Sequence, residues 1–99
     1  MIHISSTQRV RALPHVLVRE LDGESILLDL DSECYFGLDT IGTYFWTTLC
    51  QSTSTEVAYH KILETYEVEA ERLRHDLEYL IDTLAQHGLV KIHHDAERS

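Results

Sequence analysis

The chain is short of positive charge. Eight Lys and Arg residues stand against 17 Asp and Glu, leaving a formal net charge of −9 at pH 7. Nucleic-acid binding is driven mainly by Lys and Arg on phosphates, so DNA and RNA are poor electrostatic partners. A basic or neutral peptide or protein suits the balance better. Long apolar runs are missing too, and none approaches the roughly 20 residues that span a bilayer. The opening Met1-Ile2-His3-Ile4-Ser5 lacks the basic-then-apolar layout of a signal peptide, so a cytosolic location is expected. Cysteine is scarce. Cys34 and Cys50 stand 16 residues apart without a paired motif, so reduced thiols packed in or near the core are expected.

Catalytic signatures are absent as well. There is no G-x-S-x-G, no phosphate-binding glycine loop and no H-E-x-x-H. The seven histidines include no pair at metal-ligand helical spacing alongside a Cys or acid motif. Asp29 and Asp31, close in sequence at a strand end, read as solvated turn residues. The expectation is a protein with no cofactor, no metal and no enzymatic activity of its own.

What is present is enough for one domain. Ninety-nine residues, 43% hydrophobic and 25% charged, suit a single soluble core. Residues 1–14 read as an irregular N-terminal segment closed by Pro14, residues 15–92 as the domain, and residues 93–99 as a flexible polar tail. His15 to Leu21 reads as a strand rich in Val and Leu. Asp22-Gly23 is a strong hairpin turn signal, and Glu24 to Leu30 forms the second strand. Ile26, Leu28 and Leu30 share one face of that strand, with Leu27 and Asp29 on the other. A polar turn at residues 31–33 leads into a third strand, Cys34 to Leu38. Tyr35 and Gly37 share one of its faces, and Cys34, Phe36 and Leu38 the other. A glycine inside a strand often marks a place where another backbone comes close.

Three helices follow. Asp39 is a good N-cap, and Ile41, Tyr44, Phe45, Thr48 and Leu49 recur at helical spacing. Thr53 with Glu56 is a capping-box signature, followed by the stripe Tyr59, Ile62, Leu63 and Tyr66. The third helix runs from about Glu69 to His87, with Leu73, Leu77, Leu80, Ile81 and Leu84 on its apolar face. Gly88 suits the C′ position with Leu89 folding back on Leu84, and Leu89 to Ile92 adds a short strand.

The expected fold is α+β and winged helix-turn-helix-like: a three-stranded antiparallel sheet, three helices and a short C-terminal strand. That shape is often a DNA reader, whose third helix should offer Arg, Lys, Asn or Gln to the groove. Here the third helix carries Glu69, Glu71, Asp76, Glu78 and Asp82 against Arg72 and Arg74. A winged-helix DNA-binding regulator is therefore the lowest reading. A peptide-binding module fits better. The edge strand Cys34–Leu38 can accept an extended peptide, with the third helix as the other wall of a groove. The same uncovered edge also offers itself to a second copy of the chain.

Several of these residues carry a family resemblance. Asp29-Leu30-Asp31-Ser32 through Tyr35-Phe36-Gly37-Leu38-Asp39, then Ile41-Gly42 and Phe45-Trp46, resemble the signature of PqqD-like proteins. Tyr66-Glu67-Val68, Asp76-Leu77, Leu80-Ile81, Leu84 and Gly88-Leu89 continue the likeness, which spans about residues 15–92. The resemblance implies a RiPP recognition element, which binds the leader of a ribosomally made precursor peptide as a strand beside strand three and against helix three. It further implies presentation of the precursor to separate enzymes. In lasso peptide pathways, which the YFGLD-type strand resembles more, these are a leader peptidase and a cyclase. In pyrroloquinoline quinone or other RiPP pathways the enzyme is a radical-SAM protein. The residues so implied in peptide binding are Cys34, Tyr35, Phe36, Gly37 and Leu38 on the strand and Leu73, Asp76, Leu77 and Leu80 on the helix. Arg72 and Arg74 would meet leader carboxylates, and Leu28 and Leu30 would floor the pockets.

Overall fold

Asp22 and Gly23 both hold positive φ, 55° and 83°. A two-residue hairpin turn whose twist matches its strands needs that conformation at both positions. The turn folds β2 (Val16–Leu21) onto β3 (Glu24–Asp29), with Arg19 opposite Ile26. A second turn is built on Asp29, whose Oδ1 accepts the backbone N–H groups of Asp31 at 2.9 Å and Ser32 at 3.2 Å. It returns the chain as β4 (Cys34–Leu38), antiparallel to β3, with Leu27 opposite Phe36 and Ile26 opposite Gly37. The sheet order is β2-β3-β4, so β4 has a strand on one side only.

These elements belong to a computed structural model that describes residues 8–94. Asp39 caps α1 (Thr40–Gln51) by accepting the Gly42 N–H at 2.8 Å. Thr43 donates to the Leu38 carbonyl at 3.4 Å and meets the Ser25 hydroxyl at 2.7 Å, a buried chain that joins α1 to the ends of β3 and β4. The buried face of α1 is Thr43, Phe45, Trp46 and Leu49, while Ile41 and Tyr44 stay exposed. α2 (Thr55–Thr65) starts one residue later than the Thr53–Glu56 pattern suggests, because Ser54 is the cap and accepts from Val57 N–H. α3 (Ala70–Gln86) buries Leu73, Leu77, Ile81 and Leu84, all at 0% exposure. Gly88, at φ 70°, ends it, and Leu89 N–H returns to the Leu84 carbonyl at 3.0 Å. That is the C-terminal closure the sequence suggests.

The chain ends differ from expectation. Residues 8–12 are not irregular: Gln8–Ala12 forms β1, paired antiparallel with β5 (Val90–His94). The pairing works because Val10 and Gln8 point inward, and the Thr55 hydroxyl donates to buried Gln8 Oε1 at 3.2 Å. β5 also takes in His93 and His94, expected to be tail. The remainder of the expected irregular segment and tail, residues 1–7 and 95–99, lies outside the described residues. One core results, made by Leu27 and Leu38 of the sheet, the inner faces of the three helices, and Val10, Leu89 and Val90.

Candidate functional site

The free edge of β4 opens onto a groove of about 530 Å³ lined by Phe36, Gly37, Leu38, Asp39, Ile41, Gly42, Phe45, Asp76, Tyr79, Leu80 and Thr83. Alternation along β4 makes one wall. Phe36 and Leu38 follow Leu27 to the inner face, where Leu38 completes the core and Phe36 stays half-buried. Helical periodicity makes the other wall. At about 100° per residue, Leu73, Leu77, Ile81 and Leu84 form the core stripe of α3, and Leu80, Asp76, Thr83 and Tyr79 fan out along one flank. α1 closes the groove with Ile41 and Phe45. Its lining is apolar apart from Asp39, Asp76, Thr83 and the Tyr79 hydroxyl, so it offers no cation to a phosphate backbone.

At the far end of β4 lies a smaller recess of about 180 Å³, lined by Asp29, Ser32, Cys34, Tyr35, Phe36, His87 and Leu89. His87 caps α3, its Nδ1 lies 2.8 Å from the Thr83 carbonyl, and its ring sits 5.1 Å from that of Phe36. The contact fixes Phe36 between the two spaces.

The sequence-identified residues fall into distinct places. Cys34, Phe36, Gly37, Leu38, Asp76 and Leu80 line the groove or its end recess. Leu73 and Leu77 do not reach it, because both are fully buried in the core stripe. Arg72 sits a turn below Asp76, with Nε 3.9 Å from Asp76 Oδ2. Arg74 is turned to the opposite flank of α3, its guanidinium carbon 4.7 Å from the centroid of the Tyr59 ring. Leu28 and Leu30 do not floor the groove. Leu28 faces Tyr35 and Leu17 on the outer side of the sheet, and Leu30 lies exposed beyond the end of β3. Tyr35, 72% exposed, shares that outer side and borders the end recess, not the groove. Lining residues that the sequence reading does not single out for binding include Asp39, Ile41, Gly42, Phe45, Tyr79 and Thr83 in the groove and His87 and Leu89 in the recess. Tyr79 and Thr83, at i+3 and i+7 from Asp76, carried a periodic signal that the apolar stripe obscured.

The thiols also differ from expectation. Both are free, as expected of reduced thiols, but Cys34 and Cys50 are exposed rather than packed in or near the core. Although Cys50 is exposed as a residue, surrounding protein desolvates its thiol and pushes it up to about 11, with Arg11 pulling weakly the other way. The shift favours the protonated thiol over the nucleophilic thiolate at neutral pH. Asp29 feels burial pushing its carboxyl up, but hydrogen bonds from Ser32 and Asp31 and the nearby His15 outweigh it, so the net shift is downward. His15, Asp29 and Asp31 bring ligand atoms within 4.8 Å of one another. Asp29 Oδ1 already accepts two turn amides. Among the described residues no helix is long and apolar enough to cross a membrane.

With this geometry in view, residues 24–90 match the family described as coenzyme PQQ synthesis protein D (PqqD). The chain belongs to the PqqD family. Its fold is also that of two solved structures. TbiB1 in complex with the TbiA(beta) leader peptide has a TM-score of 0.76 at 28% identity, covering 82% of this chain and 94% of that one. Lasso peptide synthetase B1 complexed with the leader peptide has a TM-score of 0.76 at 24% identity, covering 84% and 98%. None of the curated proteins matches the chain.

Proposed function

We propose that this PqqD-family protein binds the leader region of a ribosomally synthesised precursor peptide. The leader adds as a strand beside β4 and drops alternate side chains into the groove against α3. The observation that carries this reading is the unpaired edge of β4 opening directly onto an apolar groove walled by α1 and α3. Backbone bonds to the edge supply affinity that is tolerant of sequence, and the groove selects the apolar side chains that enter it. The fold shared with two leader-bound proteins supports the same occupant.

The protein acts as a binding module that presents the precursor to separate enzymes, a leader peptidase and a cyclase of a lasso peptide pathway. Each buried apolar anchor contributes roughly 1.5–3 kcal/mol. Two or three anchors and the strand pairing, less the ordering of a flexible leader, give micromolar affinity or better, on the order of −8 kcal/mol. The family's description names coenzyme PQQ synthesis, which supports a second reading in quinone-cofactor synthesis; the resemblance implies a radical-SAM enzyme as the recipient there.

Titration with the leader encoded beside this gene, followed by amide NMR shifts, tests the proposal. Saturable binding with shifts clustered at residues 34–38 and 76–83 is expected. No binding, or shifts confined to the β1–β5 ribbon, would overturn it.

A further inference from the structure

The outer side of the β2-β3-β4 sheet holds a second cleft, of about 590 Å³, lined by Arg19, Leu21, Glu24, Ile26, Gly37 and Asp39, among others. It adjoins the groove across the edge strand, since Gly37, Leu38 and Asp39 line both spaces. The register explains how it arises. Arg19, Ile26 and Gly37 form one cross-strand row on the outer side, and the row ends at β4 without a side chain. A Cβ added at Gly37 would meet nothing within 4 Å, and its φ is not positive. The glycine is thus required neither by its backbone conformation nor by crowding inside the protein. Two residues along the same strands, Glu24 and Asp39 put carboxylates on the rim, Glu20 adds a third against the one lining guanidinium, Arg19, and no ion pair engages Glu24 among the described residues.

We propose that this cleft is a second subsite for the leader strand, taking one long cationic side chain. The inference rests on the strand-addition reading above. A strand beside β4 turns alternate side chains outward, and one of them lies next to Gly37. From there the side chain must cross two strand spacings, roughly 10 Å, to reach Ile26, and Ile26 projects to meet it. A Lys or Arg does this with its apolar stem across Gly37 and Ile26, while its charged head meets the Glu24 and Asp39 carboxylates. Short and β-branched side chains do not reach. The leader is therefore read on both of its faces, with apolar anchors inward and a cation outward, and a side chain at position 37 would block the path of the cation.

The test uses the full chain and the leader encoded beside its gene, fluorescently labelled. Each leader Lys or Arg is changed in turn to Met, which keeps the stem and removes the charge. Binding is measured to the wild type, Glu24→Gln and Gly37→Val. Asp39 is left intact because it caps α1. One leader cation should stand out, its loss weakening binding two- to fivefold in the wild type and by clearly less in Glu24→Gln, where only the Asp39 carboxylate remains to meet it. Gly37→Val should weaken binding tenfold or more with an unchanged melting temperature. If no leader cation is coupled to Glu24 while inward apolar positions still matter, or if only an aromatic position responds, the outer subsite is refuted and the groove reading stands. If the leader does not bind the wild type, both fall.

Discussion

Leu77 and Leu80 stand three residues apart on α3 and separate folding from binding. Leu77 has no exposed surface, and Leu80 is half-buried on the groove flank. Leu→Ala barely alters helix propensity, so the two substitutions differ only in what each side chain touches. Leu77→Ala opens a cavity in a close-packed core and should cost about 2–5 kcal/mol, a fall in melting temperature of roughly 10 °C or more. The molecules that remain folded should bind leader as before. Leu80→Ala removes three carbons at about 0.8 kcal/mol per buried CH₂. The free protein already covers about half of that surface, so bound leader gains about 1 kcal/mol from the rest. Its loss is a roughly fivefold rise in Kd. Calorimetry with fluorescence anisotropy at 15 °C reads both quantities. If Leu80→Ala melts as early as Leu77→Ala and leaves Kd unchanged, the flank of α3 is core and not a binding wall.

Further outcomes follow from the same geometry. Arg74→Ala should cost about 0.5–1 kcal/mol of stability through its lost contact with Tyr59, with leader affinity intact; a threefold or larger change in Kd would mean that Arg74 reaches the peptide. Because the groove is mostly apolar, raising NaCl from about 50 to 500 mM should change Kd only a few-fold, and a steep loss would indicate charge-led recognition. The downward shift of Asp29 means its carboxylate stabilises the fold above its ordinary value of 3.8, and that contribution is lost as pH falls through the lowered native value. The difference in melting temperature between wild type and Asp29→Ala should therefore be full at pH 7 and shrink toward pH 3. A pH-independent difference would show that the charge plays no part.

Local signals carried most of the architecture. Asp22-Gly23, Asp39, Gly88 and the Leu73–Leu84 stripe each announce their structure within a few residues of sequence, and each is found where the pattern puts it. β1 was not legible because its reason is remote. Gln8-Arg9-Val10-Arg11-Ala12 is short and half-polar, and what makes it a strand is β5, at the other end of the chain. The groove was half legible. Strand alternation correctly divides Phe36 and Leu38 from Tyr35 and Gly37. An apolar helical stripe alone does not separate its buried centre, Leu73 and Leu77, from its flank, Leu80. Nor does it reveal that Arg72 and Arg74, two residues apart and so about 200° around the helix, diverge. Ile41 and Phe45 enter the site only because α1 folds back over β4, a tertiary fact without a local signature.

The β1–β5 ribbon has an engineering consequence. Gln8 and His94 are paired across it, so the two ends of the described chain leave the domain side by side. A unit whose ends meet is spliced into a loop of another protein with little disturbance to either, since both junctions fall at one point on the host surface. The ribbon is also a sheet of its own, separate from the one whose edge faces the groove. Fused partners, purification handles or immobilising linkers attached there would hold the protein by the ribbon and not by the sheet whose edge faces the groove.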